Sequence, residues 1–176
     1  LERGYEVRGI ARGHYPSLEA LGVEMTQGDV RDPEALRAAE GCEAIFHVAA
    51  KAGAWGARQD YVNTNVLGTR AVIEAARRCG VPKLIYTSSP SVVHAGGDLE
   101  GVSEAEVSYP AHFVAHYPRT KALAERAALE ANSPTLSVTA LRPHLIWGPG
   151  DQHLTPRLLA RADAGRLRHL APHKRV

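Results

Sequence analysis

Cysteine is scarce in this chain: only Cys42 and Cys79 occur, far apart in the sequence. Neither has metal or redox spacing, which argues against a disulfide framework and for a reducing compartment, the cytoplasm. Long apolar runs are missing too. None approaches the ~18 residues of a bilayer crossing, so no transmembrane segment is expected. Charge of one sign is not massed, because the formal net charge is +2 and basic residues are scattered until the tail from Arg161 to Arg175. That tail reads as a solvated end, and no nucleic-acid face is expected. Among the nine histidines, His112 and His116 stand at i, i+4. No Glu follows the first and no third ligand is evident, so no metal site is expected. Gly-x-Ser-x-Gly is absent, which removes acyl-serine hydrolysis, and no anion loop points to phosphotransfer. No repeat or low-complexity linker interrupts the chain.

What is present is one domain's worth of sequence, 176 residues with 44% hydrophobic content. Strand-like alternation covers 5–11, a short amphipathic turn 16–21, and a second strand 23–26. Gly28-Asp29-Val30 closes that strand, and Asp32-Pro33 is a cap and first position for a helix through Glu40. The apolar run 44–49 reads as a strand covered on both faces. A Gly- and Ala-rich loop at 50–57 leads to a helix over 59–79, with Val62, Val66, Thr69, Ile73 and Ala76 at helical spacing. A strand at 82–86, a long loop at 90–111, a helix from Tyr117 to about 131, a strand at 136–141 and a helix at 156–164 follow. Strands alternating with helices predict a doubly wound parallel α/β sheet of the Rossmann type. Residues 1–150 are its nucleotide-binding domain and 151–176 the start of a substrate-binding region. The opening residues read as the last turn of a helix, and 173–176 bring no closing element. The sequence therefore reads as a piece lacking a first strand, a glycine loop and a C-terminal portion, and by itself it is expected to be inactive.

The chemistry concentrates in His-Tyr-Pro-Arg-Thr-Lys-Ala at 116–122. Tyr117 and Lys121, four apart at a helix start, lie one above the other on one face. A free tyrosine, with a pKa near ~10, is a poor base at neutral pH, and an ammonium held beside it favours the phenolate. Such a pair passes a proton to or from a substrate oxygen, as carbonyl reduction or alcohol oxidation requires. Pro118 suits a first helical turn and keeps Tyr117 at the helix mouth. Alone the pair also suits a solvated helix face. Its company decides: Ser88 and Ser89 end the strand of Leu-Ile-Tyr-Thr-Ser-Ser, and Asn65 sits on the preceding helix.

Together these residues resemble the Asn-Ser-Tyr-Lys tetrad of the extended short-chain dehydrogenases/reductases, of the 3β-hydroxysteroid dehydrogenase type. The resemblance implies Tyr117 as proton donor, Ser89 (with Ser88 second) holding the substrate oxygen, Lys121 on the nicotinamide ribose, and Asn65 completing a proton path. It implies a dinucleotide held outside the carboxyl ends of the strands. Asp29 and Val30 resemble the element holding the adenine, with a plain turn aspartate as the other reading. Ala49 and Ala50 let the cofactor lie close to the backbone, while Lys51 either reaches the phosphates or is a loop lysine without a role. Pro143, His144 and Leu145 resemble the element packing on the nicotinamide. Arg12 stands where an acid would favour NAD, so NADPH is expected, with NAD as the alternative and a solvated arginine as the bland reading of Arg12. The family's glycine fingerprint would lie before Leu1. The strings at 46–53, 86–93 and 141–151 are similar to a bacterial group that reduces 2-alkyl-3-oxoalkanoates, implying a hydrophobic small-molecule substrate. A sterol dehydrogenase, a nucleotide-sugar epimerase or dehydratase, and a non-catalytic cofactor-sensing regulator are the alternatives. The family's pairing of the helices 59–79 and 117–131 across a twofold axis implies a homodimer.

Overall fold

The computed structural model describes all residues except 2, 54, 98, 145, 152–153 and 168–176. The chain divides into two compact units, Leu1–Pro143 and His144–Val176.

In the first unit, β1 (Arg8–Ala11) pairs in parallel with β2 (Glu24–Gln27), Arg8 opposite Glu24. The Arg8 Nε donates to the Glu24 carboxylate at 3.1 Å, and its Nη1 donates to the Glu40 carbonyl at 2.7 Å. One side chain thereby ties the register to the following turn. A single helical turn, α1 (Pro16–Glu19), joins the two strands.

Where a helix over 32–40 is expected, the chain forms only a 3-10 turn, Ala35–Ala39. The Asp32 carboxylate accepts from the Glu34 N–H at 3.0 Å just ahead of it, and the N-cap Glu34 makes no side-chain capping bond. The turn lies too close to β2 for a wider coil. A Cβ on Gly28 would stand 2.4 Å from the Ala35 Cβ, so only glycine permits this approach.

A second parallel sheet has the order β3 (Ile45–His47), β4 (Lys83–Thr87), β5 (Ser137–Leu141). Between β3 and β4 runs a helix in three parts: α2 (Arg58–Tyr61), a π-helical turn (Val62–Leu67) and α3 (Gly68–Arg78). Apolar residues recur at helical spacing on α3, burying Val72, Ile73, Ala75 and Ala76. Gly80, with φ +66°, ends it. There the Val81 N–H reaches the Ala76 carbonyl at 2.9 Å and the Gly80 N–H the Arg77 carbonyl at 3.2 Å, the paired bonds of a Schellman stop. The connection from β4 to β5 contains a 3-10 turn (Pro90–Val92) and α4 (His116–Glu130).

The core lies between α3, α4 and the second sheet, where Val72, Ile73, Leu84, Tyr86, Ala124, Ala128 and Leu136 pack together. Coverage of β3 on both faces does not hold. Strand alternation sends His47 inward but leaves Phe46 70% and Val48 64% exposed, and no described residue covers that side. In the second unit, α5 (Thr155–Asp163) is capped by the Asp151 carboxylate, which accepts from the Leu154 and Thr155 N–H groups at 3.0 and 2.7 Å.

Candidate active site

Tyr117 occupies the first turn of α4, whose N-cap Ala115 is extended. It is half-buried, and Lys121 one turn on is only 2% exposed. The Lys121 ammonium donates to the Thr87 carbonyl at the end of β4 and stands 4.3 Å from the Tyr86 ring centroid. Burial drives its pKa down from 10.5 to about 8, opposed by the Glu125 carboxylate. At neutral pH the amine therefore still carries its proton.

Asn65 lies within the π-helical turn, fully buried. Its Oδ1 accepts from the Lys51 N–H at 2.7 Å, and its Nδ2 donates to the Lys51 carbonyl at 3.1 Å and to Thr120 Oγ1 at 3.0 Å. The Thr120 hydroxyl lies 2.8 Å from the His116 carbonyl and 3.0 Å from that of Tyr117. One amide thus joins the loop after β3 to the Tyr117 turn. Single-turn π segments inside helices are frequent at functional sites. Here the Thr69 hydroxyl donates to the Asn65 carbonyl at 2.6 Å. That donation uses the only hydroxyl proton, so the 2.8 Å contact between Thr69 and His47 Nε2 requires the imidazole to donate. Burial, with the Lys121 charge second, holds His47 down to about 4, which keeps it neutral.

Ser89 caps the Pro90–Val92 turn. Its hydroxyl accepts from the Ser91 N–H at 3.3 Å and lies 2.9 Å from Ser91 Oγ. That turn is held on α4 by a small cluster of Val92, Val93 and Ala122, backed by Val107, Tyr109 and Phe113. Ser88 is buried and its N–H donates to the Leu141 carbonyl at 2.6 Å. Its hydroxyl favours the charged form of Glu125 but makes no hydrogen bond of good geometry.

The structure thus ties Asn65 and Lys51 to the first turns of α4 through Thr120, seats Lys121 on the end of β4 just before Ser88, and packs the turn capped by Ser89 against Ala122. The other candidates sit elsewhere. Arg12 and Asp29 follow the paired strands β1 and β2, and the Asp29 carboxyl is held below its usual range chiefly by Arg31, with Arg12 a smaller contributor. Arg31 grips it at 2.8 and 3.2 Å. Val30 packs on Gly68, where a Cβ would stand 2.6 Å from it. Ala49 and Ala50 are exposed beyond β3. The Lys51 ammonium is 5.4 Å from the Tyr61 ring centroid. Pro143 closes the first unit, His144 opens the second and is exposed, and Leu145 lies outside the described residues. Among the described residues no cluster of three metal-ligating side chains occurs, and Cys42 and Cys79 are free thiols. No helix among them is long and apolar enough to cross a membrane.

Sequence reading did not find Thr120, Thr69, His47, Glu125 or Arg142. Only for Glu125 was there a signal, its place four residues after Lys121 on the same helix face.

This fold and this Asn-Ser-Tyr-Lys arrangement define an extended short-chain dehydrogenase/reductase. The chain belongs to the 3-beta hydroxysteroid dehydrogenase/isomerase family, which it matches over residues 6–171. It is 51% identical over 170 residues to a 2-alkyl-3-oxoalkanoate reductase of Stenotrophomonas maltophilia, covering 96% of this chain and 52% of that protein. A 2-alkyl-3-oxoalkanoate reductase of Shewanella oneidensis is 48% identical over 173 residues, covering 94% and 44%. Human sterol-4-alpha-carboxylate 3-dehydrogenase, decarboxylating, is 38% identical, covering 96% of this chain and 45% of that protein. Among solved structures, MoeE5 in complex with UDP-glucuronic acid and NAD superposes with a TM-score of 0.76 at 30% identity, covering 91% of this chain and 54% of that one. The chain spans about half the length of the curated relatives it matches.

Proposed function

We propose that the whole protein is an NADPH-dependent ketoreductase that reduces a 2-alkyl-3-oxoalkanoate to the 3-hydroxy acid. The carrying observation is the buried Lys121 ammonium one turn from Tyr117, tied through Thr120 and Asn65 to the loop after β3. Identity near one half to two reductases of that name supports the substrate.

The residues present fit a dinucleotide. Small, exposed Ala49 and Ala50 leave the backbone approachable beyond β3, and exposed Arg12 offers a cation to a 2′-phosphate while the neighbouring Asp29 carboxylate is taken up by Arg31. Arg12, Asp29 and Val30 would hold the adenosine end, Ala49, Ala50, Lys51 and Ser88 the middle, and Lys121 with Tyr117 the nicotinamide ribose. Pro143, at the end of the first unit, would lie against the nicotinamide. When bound, the reduced dinucleotide supplies a hydride equivalent to the carbonyl carbon. Ser89 holds the carbonyl oxygen by a hydrogen bond, and Tyr117 gives that oxygen its proton. Lys121 steadies the phenolate left behind, and the Asn65–Thr120 link keeps the helix mouth in place while Tyr117 is reprotonated.

A sterol dehydrogenase is the second reading, favoured by 38% identity to the human enzyme. Both relatives' names describe a carboxylate close to the reacting carbon, so the two readings share that group and differ in the apolar body. The test follows cofactor oxidation or reduction by the whole protein with a 2-alkyl-3-oxoalkanoate and with a sterol 4-carboxylate. Reduction of the keto acid with NADPH is expected, with NADH poorer and Arg12→Asp moving the preference toward NADH. Tyr117→Phe should lose roughly 100-fold or more in turnover, the contribution of a positioned general acid. Near-parental turnover by that variant would sink the assignment.

A further inference from the structure

Glu125 lies one turn beyond Lys121 on the inner side of α4 and is 0% exposed. Its charge is answered by Arg142, immediately after β5, whose Nη2 donates to Oε1 at 2.6 Å while Nε reaches both oxygens at 3.2 Å. The Tyr109 hydroxyl donates to Oε1 at 2.7 Å from the long loop before α4. The Arg126 guanidinium lies 4.3 Å from the Tyr109 ring centroid and that of Arg142 5.9 Å. Three parts of the chain therefore meet on one buried carboxylate. A buried ion pair is seldom the most stable filling for its space, since apolar residues of similar volume often serve as well or better. Its presence beside Lys121 calls for another role.

We propose that Glu125 is a positioning residue for the Tyr117–Lys121 pair: clamped by Arg142 and Tyr109, its fixed negative charge keeps Lys121 an ammonium and ties the loop before α4 to the active-site helix. The inference rests on the reduction chemistry proposed above. The groups facing Lys121 are His47 from β3, the Tyr86 ring and the Thr87 carbonyl from β4, and Glu125 from its own helix. Arg142, Tyr109 and Ser88 face Glu125. His47 is neutral, held to about 4, and burial pushes the Tyr86 and Tyr109 hydroxyls up, so both stay protonated. Glu125 is the one group in this set that is anionic at neutral pH. Arg142 and the two hydroxyls hold its carboxyl below the usual carboxylate range although burial opposes them, so that charge persists through the working pH range.

The experiment compares the pH dependence of kcat in the whole protein and in Glu125→Gln. The alkaline limb, where Lys121 loses its proton, is expected to move down by roughly one pH unit, the scale of a close opposite charge. Cofactor KM is compared at pH 6, where Lys121 still carries its proton in parent and variant alike, and should change little there. Glu125→Gln strands the Arg142 charge, so the double variant Glu125→Gln/Arg142→Gln is measured beside it. That variant removes the stranded Arg142 charge, so its limb should move in the same direction by a smaller amount. An alkaline limb unmoved in either folded variant, or failure of both to fold, overturns the positioning role and leaves the pair purely structural. Lys121→Ala separates this result from the underlying chemistry. If it keeps parental turnover, the Tyr–Lys reading itself falls; if it is inactive while the limb stays put in the Glu125 variants, only the role of Glu125 falls.

Discussion

Lys121 shows most plainly how the site trades stability for chemistry. Its pKa in the fold, about 8, lies below the 10.5 it has unfolded, so folding disfavours the ammonium. The sign follows: the penalty is fully present below pH 8, shrinks as pH climbs toward 10.5, and is gone above that. Its size is on the order of 3 kcal/mol. Lys121→Met, with similar length and no charge, is therefore expected to raise stability at pH 7, to lose that advantage near pH 10.5, and to abolish turnover. Urea melts of the whole protein at both pH values measure this. A variant less stable than the parent at pH 7 would mean that the Thr87 carbonyl and the Tyr86 ring outweigh the burial. The same scale explains what could be read in advance. Tyr117, Lys121, Asn65 and Ser89 are residue types whose chemistry is specific at that spacing. Glu125 in Ala-Glu-Arg reads as an ordinary solvated charge, and only the return of β5 brings Arg142 to it. His47 likewise reads as one more residue of an apolar strand until Thr69 is found beside it.

Among the elements, every expected strand and helix exists near its expected place except the helix at 32–40, which shortens to a 3-10 turn. The π-helical turn at Val62–Leu67 could not be read from periodicity, which sees one uninterrupted helix. Its register is set by what Asn65 and Thr69 bond in three dimensions, and by no propensity of the segment itself. The faces of α3 and α4 turned away from the sheet carry a different message. Between them runs a groove of about 420 Å³, lined by Arg70, Ile73, Glu74, Arg77, Ala127, Glu130 and Ala131. Two arginines and two glutamates on one patch can answer the same patch on a second copy, as a twofold contact requires. The whole protein is therefore expected to be a homodimer through these helices, and Glu130→Arg, which leaves three cations against one anion, to dissociate it. Sedimentation at micromolar concentration decides. A monomeric parent, or a variant as dimeric as the parent, would remove this face from consideration.

At the scale of the whole molecule, two parallel sheets are present that share no ladder among the described residues, β1-β2 and β3-β4-β5. In or just after the two edge strands of the second sheet, Phe46, Val48 and Leu141 are 70%, 64% and 51% exposed, so apolar side chains face water, each beside an edge that is unpaired among the described residues. Such an edge is a template for pairing with another chain, and the exposed side chains add a hydrophobic reason to do so. The helix that carries Tyr117 and Lys121 nevertheless packs its buried face on α3 and β4. Geometry at the proton-transfer end and stability of the sheet are thus separable. The 176-residue chain made alone is expected to keep its helices yet to melt at lower urea concentration than the whole protein and to self-associate. It should consume no measurable NADPH with a 2-alkyl-3-oxoalkanoate, because the groups described here position a proton donor but offer few contacts to the dinucleotide's phosphates. The measurement is made on both proteins side by side, with circular dichroism, urea melts and NADPH absorbance. Turnover by the 176-residue chain comparable to that of the whole protein would show that Arg12, Lys51 and the small residues after β3 suffice to hold the cofactor, and that the exposed face of β3 costs the active site nothing.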